Sequence, residues 1–230
     1  MKKYLWLFLF LYHGILHAQT SKTDPSDAQG WYAAGIKFDL PKKWTASLDY
    51  QARFINNLKK YFGSYISVGV SKKITKQVEL MSDYRVARVS KGTYHRFSIG
   101  GEATKKIKKF ELGLRALIQN QLQDFDDETR LNDNSGYWRT RFNAKYGISK
   151  KADVYISIEP VMKFGGRYFV DNWRNTIGIK CKIAKSTKLD AFYIYRPDYS
   201  KTYNRTFHII GLNLDYTLKT AKKKKKNMDR

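Results

Sequence analysis

The 230-residue chain has one cysteine and four prolines. A single thiol has no partner within its own chain, so a disulfide scaffold is excluded. Beyond residue 18 no apolar run approaches the ~20 residues that a membrane-spanning helix needs. Histidine is scarce as well, and past residue 18 only His95 and His208 remain. The sequence holds no His/Cys metal cluster, no Gly-rich phosphate loop and no G-x-S-x-G nucleophile motif. Acidic residues are outnumbered, 20 against 44 Lys+Arg, for a formal net charge of +24. Aromatics, at 15%, are too abundant for a disordered polyelectrolyte.

The chain opens with Met1-Lys2-Lys3, an apolar run from Tyr4 to Tyr12, and a small residue at Ala18. This three-part pattern predicts a cleaved secretory signal peptide over residues 1–18, because the apolar run is too short for an anchor. Residues 19–29 read as an N-terminal polar segment, 30–219 as the folded body, and 220–230 as a lysine-rich tail.

Within the body, apolar and polar residues alternate. Trp44, Ala46, Leu48, Tyr50, Ala52 and Phe54 share one parity, and Thr45, Ser47, Asp49, Gln51 and Arg53 the other. A period of two is the signature of a strand with one apolar face. Eleven such runs occur, near 30–40, 44–55, 61–72, 77–89, 93–105, 110–123, 137–149, 152–163, 173–183, 187–197 and 206–218. Strands of soluble proteins usually have ~5–6 residues, whereas a tilted outer-membrane strand needs ~9–11. The connections alternate too. Short lysine-rich turns centre near 42, 74, 107, 150 and 186, and longer polar segments such as 124–136 and 197–205 separate them. Short turns at one rim and long loops at the other predict an all-β fold, an antiparallel up-and-down transmembrane β-barrel of 10–12 strands. An odd count conflicts with the even number usual in bacterial barrels. With eleven strands, run 30–40 would start at the long-loop rim. Either residues 19–29 then rise through the lumen or along the wall, or one run is misread.

In lipid the apolar face points out and the polar face in. The polar face carries eleven basic residues, Lys37, Arg53, Arg85, Arg96, Arg115, Arg139, Arg141, Lys145, Arg174, Lys180 and Arg196. Against them stand nine acidic ones, Asp39, Asp49, Glu79, Asp83, Glu102, Glu111, Glu159, Asp190 and Asp215. Unpaired charge in a small lumen is costly, so near balance predicts a paired network. Its candidate members are Arg53, Asp83, Arg85, Glu111, Arg115, Arg139, Arg141, Glu159, Arg174, Arg196 and Asp215. A salt-bridged plug is favoured over a narrow polar path or a ligand pocket, since small barrels have side-chain-filled interiors.

Aromatics gather near the ends of the runs: Trp31, Tyr32, Trp44, Tyr61, Phe62, Tyr137, Trp138, Trp173 and Tyr216. Such positions suit the two membrane interfaces. The last run, Gly211 to Tyr216, is similar to the terminal signal read by barrel-assembly machinery. Thirteen lysines sit in the short turns, and six more lie at Lys219 and Lys222–Lys226. They form a solvated rim or a collar for anionic lipid headgroups. A signal peptide and the lack of a nucleic-acid motif argue against nucleic acid as partner. The expected partners are outer-membrane lipids and the assembly machinery, and no cofactor is implied.

A barrel-wall hydrolase needs its nucleophile and histidine on one face. His95 and Ser98 are three residues apart and so lie on opposite faces. His208 shares a face with Thr206, an unusual nucleophile. Both histidines read as interfacial aromatics, and Cys181, among Ile177, Ile179 and Ile183, as a lipid-facing inert thiol. No catalytic or metal residue is assigned. The leading expectation is a non-enzymatic outer-membrane barrel, structural or a narrow passive path for small solutes. A lipid-modifying hydrolase using His208, or a soluble basic β-protein binding a polyanion, are the alternatives.

Several pieces recur in one order: Trp31, Leu40-Pro41-Lys42-Lys43-Trp44, Gln51-Ala52-Arg53, Tyr84-Arg85, Arg115, Tyr137-Trp138-Arg139-Thr140-Arg141, Ile158-Glu159-Pro160, Arg174 with Gly178, Tyr193-Ile194-Tyr195, and Gly211 to Tyr216. In these the chain resembles the Gram-negative outer-membrane family catalogued as domain of unknown function 2490. The resemblance implies an outer-membrane barrel and brings no activity and no catalytic residues.

Overall fold

A strand in lipid leaves its N–H and C=O groups unpaired unless a neighbour flanks it on each side, so a spanning sheet must close on itself. The computed structural model shows that closure. It describes residues 26–89, 92–124, 133–164, 170–199 and 205–219. The expected signal peptide, the lysine tail and most of the two longest polar connections lie outside the described residues.

Eleven strands follow one another around the barrel: β1 (Ser26–Asp39), β2 (Trp44–Ile55), β3 (Lys60–Lys73), β4 (Val78–Val89), β5 (Gly92–Ile107), β6 (Phe110–Asp124), β7 (Asp133–Gly147), β8 (Ala152–Lys163), β9 (Val170–Lys182), β10 (Thr187–Asp198) and β11 (Arg205–Lys219). Each has 12 to 16 residues, enough to cross the hydrocarbon layer and emerge from it. Consecutive strands pair antiparallel. Up-and-down alternation over an odd number leaves the first and last strands pointing the same way, so the closing pair is parallel. β1 and β11 run side by side in one unbroken register, from Ser26↔Thr206 to Asp39↔Lys219.

This seam corrects one boundary. The polar segment expected over 19–29 is strand from Ser26 onward. Its polar residues are held locally as well as by the β11 ladder. Asn57 N donates to Asp27 Oδ1 at 2.8 Å, and Trp31 Nε1 donates to Gln29 Oε1 at 3.3 Å. From Ser26 to Asp39 the chain runs in the wall itself.

The two parities divide as alternation demands. Outward residues are large, apolar and uncovered, with Ile177 at 59%, Ile156 at 57% and Val68 at 55% exposure. A continuous apolar band of this kind is foreign to a soluble monomer and suits lipid contact. Aromatics mark both ends of the band. Tyr32, Phe54 and Tyr61 form an edge-to-face chain at the loop rim, with centroids 5.8 and 5.6 Å apart. At the lysine-turn rim Phe110 meets Tyr146 at 4.8 Å, and Lys72 covers the Trp44 ring. The short turns have their own chemistry. Thr75 Oγ1 accepts from Gln77 N and Val78 N, and Ser149 Oγ accepts from Lys151 N and Ala152 N. The turn expected near residue 107 is shorter than the sequence implies, because β5 runs on to Ile107 and within that turn Lys108 takes a positive φ.

Two bulges interrupt the register. In β3 the pairing jumps from Arg53↔Gly63 to Phe54↔Tyr61, which leaves Phe62 as the extra residue. A bulge re-aims side chains. Tyr61 stays outward against Phe54, while Phe62 turns in to pack on Tyr65, Ala87 and Val89. In β9 the jump from Asn172 to Val170 makes Asp171 the extra residue. Inside the barrel, rings lie over glycines. A Cβ added at Gly211 would meet the Phe192 ring at 1.9 Å, and one at Gly178 the Tyr155 ring at 2.6 Å. These rings narrow the lumen.

The parallel seam can be tested by cross-linking. Ala34 and Leu214 are register partners on the outward face. Neighbouring strands stand ~4.8 Å apart, within the span of a disulfide. With Cys181 replaced by serine, oxidation of the Ala34→Cys, Leu214→Cys protein should cross-link the two strands, seen as a reductant-sensitive mobility change of the denatured monomer. A pair that stays reduced would contradict the seam.

Candidate functional site

Side chains of the inward parity meet in the lumen, and they pair differently toward its two ends. Toward the lysine-turn rim the pairing is one to one. Lys37 Nζ lies 3.0 Å from Asp215, Lys145 Nζ 2.8 Å from Glu111, Lys180 Nζ 3.7 Å from Asp190 and Arg141 3.8 Å from Glu102. Tyr155 OH also donates to Asp190, and Ser71 Oγ to Glu79. This half holds cations and carboxylates in near-equal number.

The middle of the lumen is organised by Glu159 on β8, which is only 5% exposed. Arg139 from β7 grips both carboxylate oxygens, with Nη2 at 2.9 and 3.0 Å. Its Nη1 donates to Gln119 Oε1 at 3.1 Å. Arg115 from β6 donates to Glu159 Oε1 at 2.8 Å, and Arg174 from β9 stands 3.9 Å from Oε2. One carboxylate therefore serves three guanidinium groups on three strands, so register and shear, not local sequence, build the cluster.

Further toward the loop rim arginines outnumber acids again. Arg96 lies 3.4 Å from Asp83, which also accepts from Ser98 Oγ. Arg96 Nε is buried and meets no acceptor among the described residues. Arg85 donates Nε to Ser67 Oγ at 2.8 Å, and Arg53 donates Nε to Gln51 Oε1 at 2.8 Å. Neither forms an ion pair with a carboxylate among the described residues. Arg53 is held by rings instead, its Cζ 3.9 Å from the Trp31 centroid and 4.0 Å from that of Tyr65. Arg196, at the same end, pairs with Asp198 at 2.8 Å and lies over Phe207.

Among the described residues three luminal cavities result. The outer one, about 470 Å³, is lined by Arg53, Arg85, Arg96, Arg115, Arg139 and Arg174, with Asp83 as its one acid among the described residues. Trp31, Phe62, Tyr65, Ala87, Val89 and Tyr94 form its apolar wall. Two inner ones, about 480 and 520 Å³, reach toward the lysine turns past Lys37 and Glu79 on one side and Glu111 and Lys180 on the other. Arg85 and Arg115 border all three.

Position near the ends of the runs puts Trp31, Phe62 and Tyr137 among the interface aromatics. The structure corrects two of them: Trp31 and Phe62 line the outer cavity. Trp31 has the parity of Lys37 and Asp39, which was available as a signal. Phe62 depends on the bulge, and no local pattern announces that. Tyr137 lies beneath Lys163 of the adjacent strand, 5.8 Å from ring to ammonium. Also missed were Tyr65, whose ring braces two arginines, and Asp198, placed in a loop by the sequence pattern and found at the end of β10.

The histidines lie on the outer wall. His95 Nδ1 is 2.7 Å from Tyr84 OH, and His208 Nδ1 is 2.7 Å from Tyr193 OH, each ring stacked on its tyrosine. Ser98, in contrast, is buried inside at 1% exposure, on the far side of the sheet from His95. Among the described residues no group of His, Cys, Asp and Glu is placed to hold a metal ion.

The family model described as "Protein of unknown function (DUF2490)" matches residues 28–207. The chain belongs to this family. The matched span runs from β1 into β11 and so takes in the arginine cluster. No curated protein matches the chain. Among solved structures, a NanC porin in a rhombohedral crystal form is 15% identical, with a TM-score of 0.50 over 74% of this chain and 86% of that one. OccAB4 of Acinetobacter baumannii is 12% identical, with a TM-score of 0.38 over 75% of this chain and 51% of that one. At 15% identity the likeness to the NanC porin shows the fold alone, a porin-like β-barrel.

The Glu159 cluster generates a stability prediction. Removing one partner of a buried ionic cluster costs about 3–5 kcal/mol, and Glu159→Gln leaves three facing guanidinium groups without their carboxylate. The variant barrel in detergent should melt well below the wild type. An unchanged melting temperature would show that the arginines do not need the carboxylate.

Proposed function

We propose that this protein is a non-enzymatic outer-membrane barrel that provides a narrow passive path for small polar solutes. One observation carries the reading: three luminal cavities among the described residues border the same two arginines, Arg85 and Arg115, and together extend from the loop rim toward the lysine turns. A plug of matched ion pairs would leave no such space and no surplus of cations. The apolar outer band and its two aromatic margins support placement in a bilayer. The expected orientation has the lysine turns in the periplasm and the loop rim outside, as in barrels whose short turns lie inside. Placing the histidines against tyrosines on the lipid side, away from the luminal acids, argues against a hydrolase.

Purified protein in a planar bilayer should give small, discrete conductance steps. Gln121 lines the outer cavity and offers a reporter position. In a Cys181→Ser background, Gln121→Cys should conduct normally until a bulky thiol reagent is added, and then close by more than half. Absence of conductance in the folded protein would refute the path.

A further inference from the structure

We propose that the outer luminal chamber is a binding site for a small organic oxyanion, one that carries at least two carboxylate or phosphate groups on an apolar body. The inference rests on the passage reading and deepens it by naming what that passage selects.

Charge comes first. Six guanidinium groups border the chamber, and among the described residues the carboxylates that touch them are Asp83 and Glu159. An uncompensated cation in a confined, low-dielectric space destabilises the fold. The surplus thus opposes folding and favours an anion in the space. A single negative charge would leave most of the surplus in place, whereas two or more would offset it. Geometry points the same way. Among the described residues Arg53 and Arg85 touch no carboxylate, and both lie against one ring, Tyr65, at 4.0 and 5.7 Å from its centroid. Each Nε is already engaged, by Gln51 and Ser67 respectively, which fixes the orientation of the group. A pre-oriented planar fork is what bidentate recognition of carboxylate or phosphate needs. Arg96, with a buried Nε that meets no acceptor among the described residues, adds a third incompletely satisfied group.

The remaining wall specifies the body of the ligand. Phe62, Ala87, Val89 and Tyr94 form a continuous apolar surface beside the arginines. The β3 bulge exists in the register only at Phe62, the residue it delivers to this wall. Inorganic anions gain nothing from such a surface, whereas a ring or short hydrocarbon does. At about 470 Å³ the chamber admits a molecule of that size.

The test uses the full folded chain in detergent, with melting temperature read against benzene-1,3,5-tricarboxylate, benzoate and pyrophosphate. The tricarboxylate should raise the melting temperature in a saturable way, with an apparent affinity about tenfold or more above both benzoate and pyrophosphate, and raised salt should weaken it. Arg85→Gln removes a cation that no carboxylate touches among the described residues, so this variant should fold with a melting temperature close to or above the wild type. It should also lose most of the ligand-induced rise. An equal rise in wild type and Arg85→Gln, or no saturable rise in either, would overturn the proposal. Pyrophosphate binding as tightly as the tricarboxylate would overturn the apolar body. Because melting reports binding without transport, a conducting channel that ignores the tricarboxylate would sink this site and leave the path, and binding without conductance would do the reverse.

Discussion

The parallel ladder between β1 and β11 is the constraint on which the rest of the molecule depends. Every backbone polar group at membrane depth must be paired within the protein. Eleven strands in strict up-and-down order can meet that requirement only if the first and last run in the same direction. The register from Ser26↔Thr206 to Asp39↔Lys219 does so along the whole length of β1. The seam fixes what lies inside as well. It sets Trp31 opposite Gly211 on one side and Arg53 on the other. From there Trp31 stacks on the Arg53 guanidinium at 3.9 Å. A one-residue slip would turn Trp31 to lipid and Tyr32 to the lumen.

Closure makes the lumen a shared solvent for charges from every strand. Their totals over the polar face are close to equal, but the distribution is not. Toward the lysine turns lysines meet carboxylates singly, as in Lys37 with Asp215 and Lys145 with Glu111. In the middle of the lumen three arginines converge on Glu159, and further toward the loops one touches Asp83 and two are held by rings and neutral oxygens. Replacing lysine by arginine in the crowded half has a physical logic. The planar guanidinium stacks on Tyr65 and Trp31 and bonds sideways to Gln51 and Ser67, so several can be packed together without a carboxylate for each. The result is a preformed electropositive chamber beside an apolar wall.

Much of the fold was legible because the strand period is local. Trp44–Ile55 and Ala152–Lys163 are strands with the very limits their alternation implied. The same parity carried the inward assignment of residues such as Arg139 and Glu159. Partnership was not legible, because Glu159 meets Arg115 across 44 residues of sequence and Lys37 meets Asp215 across 178. Charge counting on the whole face could not see the segregation for the same reason. It averaged two halves that differ. The start of β1 was missed because Ser26–Gln29 is polar, and its strand character comes from β11 and from Asn57. Phe62 was read as an interface aromatic because the bulge that turns it inward leaves no pattern in the sequence.

The central claim is that the lumen is an open path whose outer half is governed by unmatched arginines. The reversal potential of single channels across a potassium chloride gradient tests it most directly. A clear preference for chloride over potassium, reduced by Arg85→Gln with no loss of the folded barrel, is the expected result. A preference for potassium, or a folded barrel that passes no current, would contradict the account.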